Sequence, residues 1–149
     1  MLKRLLRDLL GLRPEPLQVA ALCVRGEGAA REVLMVTSRG RGRWILPKGW
    51  PMAGRDLPGS ALQEAWEEAG VRGRVSRTAV GHYHYANLLA GDFGQQVKTH
   101  VFRIDGVSLA DAYPEAGERE RRWWPVADAA GQVEEPELAA LLSALAASD

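Results

Sequence analysis

Three glutamates pose the first chemical question. Glu64, Glu67 and Glu68 fall in the run Ala61-Leu62-Gln63-Glu64-Ala65-Trp66-Glu67-Glu68-Ala69, which ends at Gly70-Val71. Residues three and four apart share one face of an α-helix, so this spacing gathers all three carboxylates on one side. Like charges so placed repel by about 0.2–0.5 kcal/mol per pair. Nothing in the local sequence offsets that repulsion. A hard divalent cation would, because Mg²⁺ takes oxygen ligands and is commonly held by carboxylates together with substrate phosphates. The plainer alternative is a solvated acidic stripe on an amphipathic helix.

The elements that must position these groups can be read on either side of them. Asp56 is an N-cap residue followed by Leu57 and Pro58, with proline in the first turn where it is tolerated. Ser60-x-x-Gln63 also fits a capping box, so either start is compatible with the pattern. Ala61, Leu62, Ala65 and Ala69 form the opposite face, and small residues there let the helix sit close to a sheet and hold its site rigidly. Trp66 reads as packing. Upstream, Trp44 to Pro47 reads as a short strand delivering Gly49, which opens a glycine-containing turn to Gly54. A glycine lets backbone approach a ligand, and its carbonyl can serve as a metal ligand.

Taken together, Gly49 to Val71 resembles the Nudix box, G-x5-E-x7-R-E-U-x-E-E-x-G-U, in which U is a bulky aliphatic residue. Gly49 falls on its first glycine, Glu64 on the glutamate after the arginine, Glu67 and Glu68 on the glutamate pair, and Gly70-Val71 on the closing pair. The lead-in Arg43-Trp44-Ile45-Leu46-Pro47-Lys48-Gly49 resembles the branch of diphosphoinositol polyphosphate and dinucleoside polyphosphate phosphohydrolases. Arg55 stands where the box has its first glutamate, Gln63 where it has arginine, and Ala65 is smaller than the usual aliphatic residue.

The resemblance implies an α/β/α sandwich around a mixed β-sheet, and hydrolysis of a diphosphate linkage with Mg²⁺ or Mn²⁺. It implies metal ligation by Gly49, Glu64 and Glu68, with Glu67 as the base. Spacing by itself does not distribute these roles among the glutamates. The expected substrate is a small diphosphate of the nucleoside-diphosphate, dinucleoside polyphosphate or diphosphoinositol type. It would be gripped by Arg39 in Ser38-Arg39-Gly40-Arg41-Gly42-Arg43, by Lys48, and by Arg121 on a late strand. Guanidinium pairs bidentately with phosphate oxygens; a flexible polar turn is the plain alternative for the arginine-rich stretch. Two rival readings follow from the same residues. One is an enzyme acting on RNA 5′ ends. The other is a weak or inactive binding module that kept the fold, as Arg55 and Gln63 suggest.

The rest of the chain bounds the class. Its 149 residues suit one domain over 15–149, preceded by an amphipathic helix within 1–14 formed by Leu2, Leu5, Leu6 and Leu9. That helix is interrupted by Arg7-Asp8, unlike a signal peptide, and is too short to span a membrane. It suits packing on the domain or against a second copy in a homodimer, with a weak membrane-surface helix the lesser alternative; a partner docked on it could also activate the enzyme. The 19 basic residues balance the 19 acidic ones, which gives no electrostatic case for general nucleic-acid binding. The single cysteine, Cys23, lies in an apolar run and reads as a small buried hydrophobe, in keeping with a reducing, cytoplasmic compartment.

Strands are predicted at Leu17 to Val24, Glu32 to Thr37, Val71 to Tyr85 with a bend near Gly81, and Gln95 to Ile104, with loops at Ala86 to Gly94 and Asp105 to Glu118. In His82-Tyr83-His84-Tyr85, alternation puts the histidines on one face and the tyrosines on the other. That is ordinary half-buried strand chemistry, with a histidine metal site the minor alternative. Glu134 to Ala147 reads as a closing helix on Leu138, Leu141, Leu142 and Leu145.

Overall fold

A computed structural model describes residues 15–87 and 95–148. The expected N-terminal helix and most of the Ala86 to Gly94 loop lie outside the described residues. Strand β1 (Leu17–Arg25) has neighbours on both sides. It pairs antiparallel with β2 (Glu32–Thr37) at Val24↔Val33, and parallel with β7 (Gln95–Leu109) from Leu17↔Lys98 to Cys23↔Ile104. Two short strands, β3 (Trp44–Ile45) and β4 (Lys48–Gly49), pair with β2 and β1 respectively. The strand expected to run from Trp44 into Gly49 is thus broken in two. Pro47 supplies no N–H, but its carbonyl accepts from Ala21 (2.9 Å), which keeps the segment against β1.

The expected single strand from Val71 to Tyr85 is also two, β5 (Val71–Val75) and β6 (Gly81–Asn87). They follow each other along the same edge of β7: β6 pairs with residues 95–101 and β5 with 104–109. That pairing carries β7 past the predicted end at Ile104 to Leu109. The last strand, β8 (Arg121–Pro125), pairs with β2. The sheet is therefore mixed, in the order β3-β2-β1-β7-β5 with β4, β6 and β8 attached.

Alternation along β1 sends side chains to two cores. Ala20, Leu22 and Val24 meet Val126 and Ala129 of helix α2 (Val126–Gln132) and Leu138 and Leu142 of α3 (Pro136–Ala147). Ala21 and Cys23 meet Ala65 and Ala69 of helix α1 (Leu57–Ala69), while Val19 meets Ala61. Helices on both faces complete the expected α/β/α layering. The three alanines of α1 are fully buried, so its backbone lies close to the sheet. Helix α2 is an addition that the sequence pattern did not disclose.

The start of α1 resolves the two cap candidates. Asp56 has an extended backbone, and its side chain accepts from the Gly59 N–H (2.8 Å), while the buried Ser60 hydroxyl accepts from the Met52 N–H (3.0 Å) in place of a cap bond. At the other end Gly70 adopts φ 67°, the left-handed C-cap, and donates to the Ala65 and Trp66 carbonyls. A Cβ at Gly70 would also collide with the Tyr113 ring.

Candidate active site

The helix register brings the three glutamates to one edge of the sheet, where β4 passes beneath them. Glu68 is 3% exposed, and its two carboxylate oxygens accept from the Lys48 backbone N–H at 3.2 and 3.4 Å. Glu64 packs directly on the Cα of Gly49: a Cβ there would overlap all three atoms of its carboxylate group. Glycine at this position is therefore a steric requirement of the glutamate above it. Glu67 is held by Gln63 one turn earlier, whose Nε2 donates to Glu67 Oε1 (3.1 Å). The glutamine that stands where an arginine was expected thus fixes a carboxylate rotamer without adding charge.

A fourth carboxylate arrives from the loop between β7 and β8. Glu115 donates its backbone N–H to the Glu67 carbonyl (2.9 Å), which pins the loop to the last turn of α1. Glu115 Oε1 accepts from Arg119 Nε (3.2 Å) and from Arg39 Nη2 (2.8 Å). Arg119 is largely buried; it donates through Nη1 to the Thr37 carbonyl (3.0 Å) and places Nη2 4.0 Å from Glu68 Oε1. Among the described residues it is the only cation within 4.0 Å of Glu64, Glu67 or Glu68.

The electrostatic result is an acid cluster short of counter-charge. Burial first, then the neighbouring Glu68, Glu67 and Glu115, push the Glu64 carboxyl up to about 8. Burial lifts Glu68 to about 7, opposed by Arg119 and the Lys48 N–H. Protons alone relieve this arrangement only by neutralising the oxygens. Divalent cation binding relieves it while keeping them ionised, and oxygen-only donors beside a backbone that a Cβ would block are the set a Mg²⁺ or Mn²⁺ ion takes. The residues present fit such an ion.

Of the cations expected to grip phosphate, Arg39 and Lys48 border the cluster and Arg121 does not. Arg39 is well exposed and bound to Glu115 and Glu118. Lys48 turns its Nζ to Gln18 Oε1 (3.2 Å) and Tyr85 Oη (3.1 Å), and burial pushes its pKa down. Arg121 donates through Nη1 to the Ala69 and Ala110 carbonyls (2.7 and 2.8 Å) and stacks by Tyr113. It closes the C-terminus of α1, where a cation meets the free carbonyls and the negative end of the helix dipole.

Sequence reading missed Glu115 and Arg119, and with them Gln18 and Tyr85, the polar partners of Lys48. It also passed over Trp50, whose ring is 49% exposed immediately after Gly49. Beside Tyr85 lies a cavity of about 520 Å³, lined also by Arg41, Arg43, Glu134 and Glu135, in which each of these arginines is paired with a glutamate.

Known proteins resemble this chain in sequence and in fold. Mouse diphosphoinositol polyphosphate phosphohydrolase 3-alpha is 30% identical over 118 residues, covering 75% of this chain and 65% of its own length, so the chain spans a little under two thirds of that relative. Among solved structures, an Ap4A hydrolase of C. elegans superposes with a TM-score of 0.62 at 20% identity over 90% of this chain and 98% of that one. A NUDIX hydrolase of Nitrosomonas europaea reaches 0.68 at 17% identity over 87% of each chain. The NUDIX domain description matches residues 15–144, which span nearly all of the fold and every carboxylate of the cluster; the chain belongs to the Nudix family.

Proposed function

We propose that the protein is a Mg²⁺- or Mn²⁺-dependent pyrophosphohydrolase that cleaves a diphosphate linkage in a small substrate. The observation that carries this reading is the under-compensated pair of half-buried Glu64 and buried Glu68, with Glu64 seated on Gly49. Glu64, Glu68 and the Gly49 carbonyl would hold the ion. When bound, the ion polarises the phosphoryl group and neutralises charge that develops on its oxygens.

The chain's own residues supply the remainder. Water attacks phosphorus, the anhydride P–O bond breaks, and the water proton passes to the Glu67 carboxylate, which Gln63 holds in one rotamer. Lys48 and Arg39 border the site and neutralise substrate phosphates, since positioning and electrostatic stabilisation dominate phosphoryl transfer. Arg119 keeps Glu68 and Glu115 in place against their mutual repulsion. A mouse relative named for diphosphoinositol polyphosphates and a structural neighbour named for Ap4A favour phosphoanhydrides joined to a larger organic group. Balanced net charge argues against RNA 5′ ends as the principal substrate. A reducing, cytoplasmic setting is part of the same proposal, resting on Cys23, a fully buried free thiol pushed up to about 12.

The test is a Mg²⁺-dependent release assay over a panel of diphosphoinositol, dinucleoside and nucleoside diphosphate compounds. Turnover abolished by Glu67→Gln is the expected result. The rival reading, a binding module, draws on Arg55 and Gln63; tight binding of a panel member by the native chain without turnover would establish it instead.

A further inference from the structure

All three histidines of the chain lie on neighbouring strands β6 and β7. His82 and His84 alternate along β6, and His100 of β7 stands opposite His82 in register. The His82 ring lies 5.7 Å from His84 and 6.3 Å from His100, centroid to centroid. The outer edge of β6 faces the first turn of α3. There Glu137 Oε1 accepts the His84 backbone N–H (2.8 Å) and sits 2.9 Å from His84 Nδ1. On the other side of the ring, Glu15 Oε1 is 2.9 Å from His84 Nε2.

That double contact is chemically informative. A protonated imidazole donates to both carboxylates; a neutral one carries one N–H and one lone pair and donates to only one of them. In the neutral form that donates Nε2–H to Glu15, the Nδ1 lone pair is free on the Glu137 side, where it can ligate a cation once the 2.9 Å contact to Glu137 opens. A carboxylate holding the far N–H of a ligating histidine is a recurring feature of metal sites, where it fixes the tautomer. The donor atoms of His82, His84 and Glu137 lie within 4.8 Å of one another, close enough for side-chain rotation to converge on one ion.

We propose that His82, His84 and Glu137 form a second metal site, selective for a borderline divalent ion such as Zn²⁺, with Glu15 orienting His84. Two imidazoles and one carboxylate give three protein ligands and leave a fourth position open to water or to a ligand group. Imidazole donors suit Zn²⁺, whereas Mg²⁺ prefers the all-oxygen cluster on α1. The two sites are therefore separated by ligand chemistry as well as by position. His84 and Glu137 also line the cavity beside Tyr85, so an ion here would face whatever occupies that space.

The test uses the untagged full chain, stripped with chelator, in excess Mg²⁺. Zn²⁺ is titrated calorimetrically, and Co²⁺ is followed by its visible absorption. A Glu68→Gln background keeps the α1 cluster from contributing. One Zn²⁺ per chain is expected, and His82→Gln and His84→Gln should each weaken it by roughly tenfold or more. Glu15→Gln should weaken it by about tenfold, the scale for an orienting partner. Native-chain NMR gives an independent readout: Co²⁺ should broaden the ring signals of His82 and His84 beyond detection. Unchanged Zn²⁺ affinity in the His82→Gln/His84→Gln double variant, no stoichiometric binding by the native chain, or unbroadened histidine signals would each overturn the proposal.

Discussion

Two acidic runs in this molecule have nearly the same composition and opposite electrostatics. Among the described residues, Glu64, Glu67 and Glu68 on α1 have one cation within 4.0 Å, Arg119 beside Glu68, and burial pushes the Glu64 and Glu68 carboxyls up to about 8 and 7. Glu134 and Glu135, just before α3, are matched one for one: Arg41 binds Glu134 (3.0 Å), and Arg43 forks onto both oxygens of Glu135 (3.2 and 3.1 Å). Acidity is thus a poor marker of a site, whereas acidity left unneutralised in a buried place is a good one. The α3 run is structural, tying the Ser38–Arg43 loop to a helix start. The α1 run keeps two carboxyls that burial pushes up, with Arg119 beside Glu68 as its close cation among the described residues.

The sharpest way to break this contrast is to remove one carboxylate from each run. Glu67→Gln should lower Mg²⁺-dependent turnover by about 10²–10⁴-fold, the usual span for a general base, while Glu134→Gln should leave it within about twofold; steady-state kinetics of the two variants decides. Gly49→Ala comes next. Its methyl group would displace the Glu64 carboxylate, so Mg²⁺ affinity should fall by roughly 10–100-fold, the scale for disturbing a ligand's support, and calorimetric titration would show it. Arg119→Gln leaves buried Glu68 and half-buried Glu115 less compensated. A loss of about 1.5–3 kcal/mol in urea unfolding is expected, the scale for hydrogen bonds to charged groups, against about 0–1 kcal/mol for the exposed Arg41→Gln.

A smaller effect should appear with pH. Glu64 and Glu68, held near 8 and 7 against an ordinary 4.5, bind more protons folded than unfolded across that interval. Metal-free stability should therefore fall as pH rises from about 4.5, and level off only above about 8. Mg²⁺ should raise the melting temperature more at pH 8 than at pH 5.5, because ligation needs the deprotonated forms. Melting curves with chelator and with Mg²⁺ at both values check the sign. An equal Mg²⁺ increment at the two pH values would defeat the claim that these carboxyls are the ones engaged.

How much was legible in the chain depended on how local the cause was. The limits of α1 are written in Asp56 and Gly70, whose capping chemistry acts within one turn, and its packing face in Ala61, Ala65 and Ala69. The β1 and β2 strands and the Leu138–Leu142 helix face were equally plain. What escaped depends on distant partners. Strand β7 continues to Leu109 because β5 lies beside it, and residues 76–80 separate β5 from β6 because each finds a different part of that same strand. Arg121, expected to face the substrate from a late strand, turns to the end of α1, while Arg119, in the preceding loop, reaches Glu68. No periodicity in the stretch 115–122 distinguishes those two arginines. Only the loop's attachment to the Glu67 carbonyl does.

That attachment bears on how portable the motif is. The segment Gly49–Val71 brings its own caps, its own close-packing alanines and its own glutamates, yet the positive charge that steadies Glu68 comes from some fifty residues later in the chain. Transplanting the helix and its preceding turn into another scaffold would therefore carry the acids without their keeper. Conversely, lengthening or shortening the 110–120 connection would detune the acids while leaving every residue of the signature intact.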